Sequence, residues 1–229
     1  MCNNFNFASK KDQIILVGFS RGAFTVRCLA DFISQIGLLR RKNLPFLNSL
    51  FLEWSQEKDK SQREKFKERI ESLNASKKKK FSYFAKIDVL AEWDTVSALK
   101  SSDFSFVQYT VPAVVKNAFF ALSLDEKRFS FQPMPWKLAT ENQEVKQCAF
   151  AGCHGDIGGG NEDAGLSTVS LLWMVAKIEA ACEAAFDPEA LLQTMLPRPS
   201  TSYNLSSREV SKPLCMNLTM SEGERGPER

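Results

Sequence analysis

The sequence predicts an α/β fold with a mostly parallel sheet flanked by helices. Its short apolar runs are typical of parallel strands that are buried on both faces. Stretches with helical apolar spacing alternate with these runs, and polar or glycine-rich turns separate them. The 229-residue chain is 44% hydrophobic and 25% charged, which fits one globular domain with a substantial core.

We expect residues 1–196 to form this domain. Residues 197–229 are polar and irregular in sequence, which predicts a disordered tail. The most apolar stretch, residues 166–186, contains charged side chains near its middle, so it predicts a buried helix and not a membrane span.

Charge and cysteine content restrict the expected partners and cofactors. The net charge of +3 indicates no strong attraction to nucleic acid. Six cysteines without a C-x-x-C pair indicate reduced thiols, and a single histidine argues against a zinc site. The N-terminus lacks the apolar core of a secretory signal. We therefore expect a cytoplasmic protein with no transmembrane segment and no cofactor.

The first strand and helix enclose a serine motif. The run "QIILV" at residues 13–17 predicts a buried strand, and the apolar spacing over residues 21–36 predicts a helix that stops at Gly37. Between them, "GFSRG" has the pattern G-x-S-x-G around Ser20. Gly18 and Gly22 would let strand and helix approach closely around a strained nucleophile. The pattern alone is weak, and an ordinary turn serine is the alternative.

Residues 55–80 are almost entirely charged. They predict a solvated helix followed by a lysine-rich connector, with few contacts to the core. A lid over the serine, or a weak contact with anionic lipid headgroups, are the alternatives. Burial of Phe66, Ile70 and Leu73 over the serine would favour the lid.

The remaining elements predict where polar side chains meet. A strand over residues 87–93 ends at Asp94, residues 117–128 have mixed helical character, and a strand over 147–151 runs into a glycine-rich loop with His154. The carboxyl ends of parallel strands share one sheet edge, so Ser20, Asp94 and His154 are expected to converge there.

These three residues also follow the hydrolase order of serine, acid and histidine. His154 would be the general acid and base, and Asp94 would orient its ring. Asp94 could instead cap a helix, and Asp88, Asp125 and Asp156 are competing acids; we expect Asp156 to brace the loop. Glycines 158–160 match no phosphate-binding motif and predict a tight turn before the next helix.

Four ordered blocks resemble one α/β-hydrolase family. It is a family of largely unknown function that includes the phospholipase effectors of bacterial type VI secretion and many fungal proteins. The resemblance covers about residues 13–180 and is carried by "GFSRGAFTVRCLADFISQIGLL", "WDTVSAL", "ALSLDEKRFSFQPMPW" and "FAGCHGDIGGG…LSTVSLLWMV". It implies a Ser20–His154–Asp94 triad and hydrolysis of carboxylic esters, with phospholipids as the family's known substrate class.

Two departures from the family pattern limit this expectation. Phe120 stands where the family usually has a histidine, and the family's upstream strand with its Asp-Gly-Thr motif is absent, so we expect a truncated hydrolase domain. The Arg21 N–H can be one oxyanion donor, but a hydrolase draws a second from an upstream loop. Loss of one donor costs about 2.7 to 4 kcal/mol. A catalytically impaired remnant or an interaction domain is therefore the alternative function.

Overall fold

In the computed structural model of the protein, the described residues are 12–56, 60–75, 80–96, 109–137, 139–161 and 163–195. The central sheet contains β1 (Ile15–Phe19), β4 (Ile87–Trp93), β5 (Val115–Ser123) and β6 (Glu144–Phe150). Their spatial order is β1-β4-β5-β6, and all three pairings are parallel. The predicted α/β fold is confirmed. The proposed tail, 197–229, lies outside the described residues.

The first crossover, between β1 and β4, holds three of the six described α-helices. It contains α1 (Arg21–Ile36), α2 (Leu47–Ser55) and α3 (Lys60–Asn74). A two-stranded antiparallel ribbon joins β2 (Leu38–Leu39) to β3 (Ser82–Tyr83). Gly37 caps α1 with φ of 69°, as its sequence position predicted.

The C-terminal elements are α4 (His154–Gly158), α5 (Gly165–Ala181) and α6 (Pro188–Met195). In the described part of the chain, no helix combines the length and apolar character needed to cross a bilayer.

The sheet is covered by apolar side chains on both faces. One core cluster joins the sheet to α1 and to the segment that contains Trp136. The second joins the opposite face to α4 and α5. Double coverage explains why the strands read as continuous apolar runs, because residues on both faces are buried.

β5 corrects one sequence prediction. The mixed helical character assigned to residues 117–128 is wrong, because Val115–Ser123 form a strand between β4 and β6. Its apolar run "AFFAL" lacks the alternation of a half-exposed strand, since both faces are covered. Phe120, at the family's histidine position, is fully buried in the core on the α1 side of the sheet.

The charged segment also differs from its prediction. Residues 60–74 form α3, and Phe66 and Ile70 are only 3% and 2% exposed. They pack with Trp54 of α2 and with residues of α1 in a third apolar cluster, whereas Leu73 is 45% exposed. The prediction of few core contacts is therefore wrong, because two apolar residues one turn apart are enough to bury one stripe of a charged helix.

Candidate active site

Ser20 follows the last residue of β1 and precedes the first turn of α1. Its φ of 59° and ψ of −124° are unfavourable for a residue with a side chain. The turn is tight at Gly18, where a Cβ atom would lie 2.6 Å from the Cα of Ala23. At Gly22, by contrast, an added Cβ atom would meet only open space. The steric requirement for glycine therefore falls on Gly18, and the expectation of a close approach at Gly22 is wrong.

Asp94 follows β4, the strand beside β1. Its φ is 44°, and its side chain is fully buried. The carboxylate accepts hydrogen bonds from the backbone N–H of Ser123, at 2.8 Å, and from the Ser123 hydroxyl, at 2.9 Å. Ser123 ends β5, so neighbouring strand ends hold the acid in place. Asp94 does not cap a helix, because Thr95 is not helical and Val96 forms an antiparallel β-bridge with Pro133.

His154 joins these two side chains. Its Nε2 lies 2.7 Å from the Ser20 Oγ, and its Nδ1 lies 2.7 Å from the Asp94 Oδ2. An ionised carboxylate only accepts hydrogen bonds, so Nδ1–H donates to Asp94 and Nε2 is left to accept from the serine hydroxyl. The three predicted residues thus converge at the carboxyl edge of the sheet. His154 was expected in a loop but is the first residue of α4.

Two aromatic rings hold the imidazole from different sides. The Phe19 ring lies 4.7 Å from the His154 ring at a tilt of 30°, and the Phe131 ring meets it edge-on at 5.1 Å. Behind Phe19, a Cβ at Gly158 would lie 2.0 Å from the phenylalanine ring. These contacts restrict the rotation of the imidazole, and the sequence pattern did not identify either phenylalanine.

Two of the three acids that competed with Asp94 support the histidine turn instead. Asp125 accepts the N–H of Gly152 at 2.7 Å, and Asp156 accepts the N–H of Cys153 at 2.8 Å. Asp156 therefore braces the turn, as predicted. Asp88 lies at the amino end of β4, where it accepts the Ile14 N–H at 3.0 Å.

Glu126 is a further brace that sequence reasoning missed. Its carboxylate lies 3.4 Å from the His154 backbone N–H and accepts three hydrogen bonds from Arg128, one from the backbone N–H and two from the guanidinium. Mainly because of the hydrogen bonds from Arg128, the pKa of Glu126 is lowered to about 2. The "LDEKR" sequence, with acids directly after a strand, was the available signal, but residues 117–128 had not been recognised as containing that strand.

Burial raises the pKa of Asp94 above its ordinary value, while the donors from Ser123 and His154 act in the opposite direction. Near neutral pH, the buried carboxylate is compensated by these donors. Arg21 is the first residue of α1, so its backbone N–H has no hydrogen-bond acceptor within the helix and points out of the helix N-terminus. Across the described ranges, no group of three or more histidine, cysteine or acidic residues could hold a metal ion.

Comparison with known proteins identifies one family whose model matches this chain. The family model of the type VI secretion phospholipase effector Tle1-like catalytic domain matches residues 1–177. Among curated proteins, none matches the chain. The solved structure of the Tle1 effector bound to the VgrG spike of the type VI secretion system is similar, with 21% identity and a TM-score of 0.32. That likeness covers 65% of this chain and 24% of the Tle1 chain, so this chain spans about a quarter of the effector's length.

Proposed function

Because this chain belongs to the family of Tle1-like phospholipase effector catalytic domains, we propose that it is a serine hydrolase of carboxylic esters that acts on phospholipids. The observation that carries the proposal is the continuous hydrogen-bonded line from Ser20 through His154 to Asp94, with 2.7 Å at both imidazole nitrogens. This is the arrangement in which a histidine can take a proton from a serine while an acid fixes its tautomer.

In the proposed reaction, the Ser20 Oγ attacks the ester carbonyl carbon as His154 Nε2 accepts the hydroxyl proton. Asp94 stabilises the imidazolium that forms. The proton then passes from Nε2 to the departing alcohol, which leaves an acyl group on Ser20. Water attacks the acyl-enzyme with His154 again as the base, so the free acid is released and the serine is restored.

The negative oxygen of each tetrahedral intermediate requires hydrogen-bond donors. The Arg21 N–H and the positive end of the α1 dipole are proposed to supply one. A second donor is expected from the loop of an upstream strand. Among the described residues β1 pairs with β4 alone, and Val17 of β1 is 52% exposed. An impaired hydrolase that keeps its triad is therefore the second candidate function.

Two measurements on the full chain separate these candidates. Reaction with an alkyl fluorophosphonate, followed by mass spectrometry, tests whether Ser20 is an activated nucleophile. Hydrolysis of p-nitrophenyl butyrate and of phosphatidylglycerol vesicles tests turnover. We expect labelling at Ser20 that is lost in Ser20→Ala and His154→Ala and retained in Ser49→Ala, an exposed serine on α2.

Labelling with turnover supports the hydrolase, and labelling without turnover supports the impaired form. Labelling that persists in His154→Ala would overturn both, because the serine would then react without its base. In a functioning triad, the double variant Ser20→Ala/His154→Ala should be no slower than either single variant, since the residues act as one unit.

A further inference from the structure

A fully buried ion pair joins the helix after Ser20 to the strand before Asp94. Arg27 of α1 and Glu92 of β4 both have 0% side-chain exposure. The guanidinium donates from Nε to Oε1 at 3.1 Å and from Nη2 to Oε2 at 2.5 Å. These two parallel hydrogen bonds fix the position of α1 relative to β4.

The same guanidinium reaches a third segment. Arg27 Nη2 donates to the carbonyl oxygen of Met134 at 3.1 Å, and its charged carbon lies 3.6 Å from the centre of the Trp136 ring. Trp136 is in turn held by Gln147 of β6, whose side chain bonds both the N–H and the C=O of the tryptophan. One arginine therefore ties α1 and β4 to a segment fixed on β6.

This cluster is connected directly to the turn at Asp94. The hydroxyl of Thr95 donates to Glu92 Oε2 at 3.2 Å, and the Thr95 carbonyl accepts the N–H of Met134 at 2.9 Å. Glu92 and Met134, the two hydrogen-bond partners of Thr95, are thus both held by Arg27. On the other side of Asp94, the carbonyl of Trp93 accepts the N–H of Ser20 at 2.9 Å.

A buried ion pair is a poor source of stability, because removing two charges from water cancels much of their attraction. Asp94, however, has a positive φ, and a strained residue keeps that conformation only when its neighbours determine it. On the β5 side, Ala121 and Ser123 hold Asp94 by hydrogen bonds; on its Thr95 side, the neighbours are the ion pair and Met134.

We infer that Arg27 and Glu92 are positioning residues that act through Thr95 to hold the turn at Asp94, and with it the acid, against His154. This inference rests on the proposed function for its consequence in reactivity. The pair touches neither serine nor imidazole, so its effect passes through the geometry of the acid alone.

The gentlest test is Thr95→Val, which removes the hydroxyl link and leaves the ion pair intact. The harsher test is Arg27→Met/Glu92→Met, since replacing a whole buried pair by apolar side chains preserves folding better than removing one partner. Arg63→Met is the matched control, because it breaks the partly buried pair that Arg63 of α3 forms with Asp31 of α1, away from the site.

Two readouts follow the geometry. The rate of fluorophosphonate labelling at Ser20 should fall by about tenfold in both test variants, because a small misplacement caused by a change far from the reacting atoms can cost up to about a hundredfold in rate. In proton NMR, the low-field resonance of the His154 Nδ1 proton is assignable without ambiguity because the chain has one histidine. It should broaden or disappear in both variants and persist in Arg63→Met.

Labelling of Thr95→Val at the wild-type rate with an unchanged resonance would overturn the inference, whether or not the double methionine variant folds. The triple variant Arg27→Met/Glu92→Met/Thr95→Val should label no more slowly than Arg27→Met/Glu92→Met, because both changes act through the same contacts. An additive loss of labelling rate would also overturn the inference. Failure of the proposed function looks different, since wild-type Ser20 would then not react at all, and the NMR resonance would still report the geometry.

Discussion

Ser20 and Asp94 directly follow the ends of neighbouring parallel strands, and both have positive φ, at 59° and 44°. They are the non-glycine residues with this conformation in the described part of the chain. The non-glycine positions with positive φ in these ranges are therefore two members of the proposed triad. Strain at such positions persists when the surrounding structure determines it, which is a common property of functional turns.

The first prediction concerns the strain at Ser20. The unfolding free energy of Ser20→Gly should equal that of Ser20→Ala or exceed it by up to about 1 kcal/mol. Glycine avoids the Cβ penalty at φ of 59°, and this gain is partly offset by its larger loss of chain entropy on folding. Urea unfolding followed by circular dichroism measures the difference. Clearly greater stability of Ser20→Ala would show that the turn is relaxed in solution.

The second prediction concerns the support of Asp94 by Ser123. Ser123→Ala removes one hydrogen bond to the carboxylate and leaves the backbone N–H in place. The pKa of Asp94 should rise further, since a donor to the charged form is lost. The acid limb of the labelling-rate profile at Ser20 should then move to higher pH. The rate at neutral pH should be about tenfold lower, the factor that corresponds to about 1.5 kcal/mol for one hydrogen bond to a charged group.

Ser170→Ala is the control for this effect, because Ser170 is also fully buried but donates to the carbonyl of Ile157 on α4. Its labelling profile should keep the wild-type acid limb. Equal shifts in the two variants would indicate a general loss of packing and not a change at the acid.

The third prediction concerns the pH dependence of stability. The pKa of Glu126 is lowered from 4.5 to about 2, so its ionised form favours the folded state. This contribution is present above pH 4.5 and is lost as the pH falls toward about 2. The difference in unfolding free energy between wild type and Glu126→Gln should therefore be largest near neutral pH and shrink through that window. A difference that does not change with pH would mean that the Arg128 contact does not persist in solution.

The fourth prediction concerns the docking of α3. Phe66→Ala should lower the unfolding free energy by about 3 kcal/mol, since it leaves a cavity among α1, α2 and α3. Leu73→Ala on the same helix changes an exposed side chain and should cost less than about 0.5 kcal/mol. Thermal and urea unfolding of both variants measure this contrast, and similar values would indicate that α3 is detached in solution.

The sequence predicted the elements whose signals are local. β1, α1 and the stop at Gly37 follow from one apolar run, one helical repeat and one glycine, and the structure has them within two residues of the expected bounds. The convergence at the carboxyl edge followed from chain order alone, because parallel strands direct their carboxyl ends to one side.

What the sequence could not predict depends on distant partners. The run in β5 is compatible with helix or strand until β4 and β6 are known to flank it. The partner of Arg27 lies 65 positions away, and the chain contains many acids that could have filled that role. Ser123 was missed for the same reason as β5, since a serine at a strand end has meaning only once the strand is recognised.

The order of the strands also has a consequence for the timing of folding. Ser20 and His154 are separated by 134 positions, and His154 follows β6, the last of the four described strands of the central sheet along the chain. A growing chain, or a folding intermediate without β6, therefore has the serine turn but no imidazole beside it. Pairings over such long separations form late and slowly. Ser20 would therefore become reactive only at the last step of assembly, when β6 pairs with β5 and brings His154 to the serine. Before that step, we expect no nucleophilic reaction at Ser20.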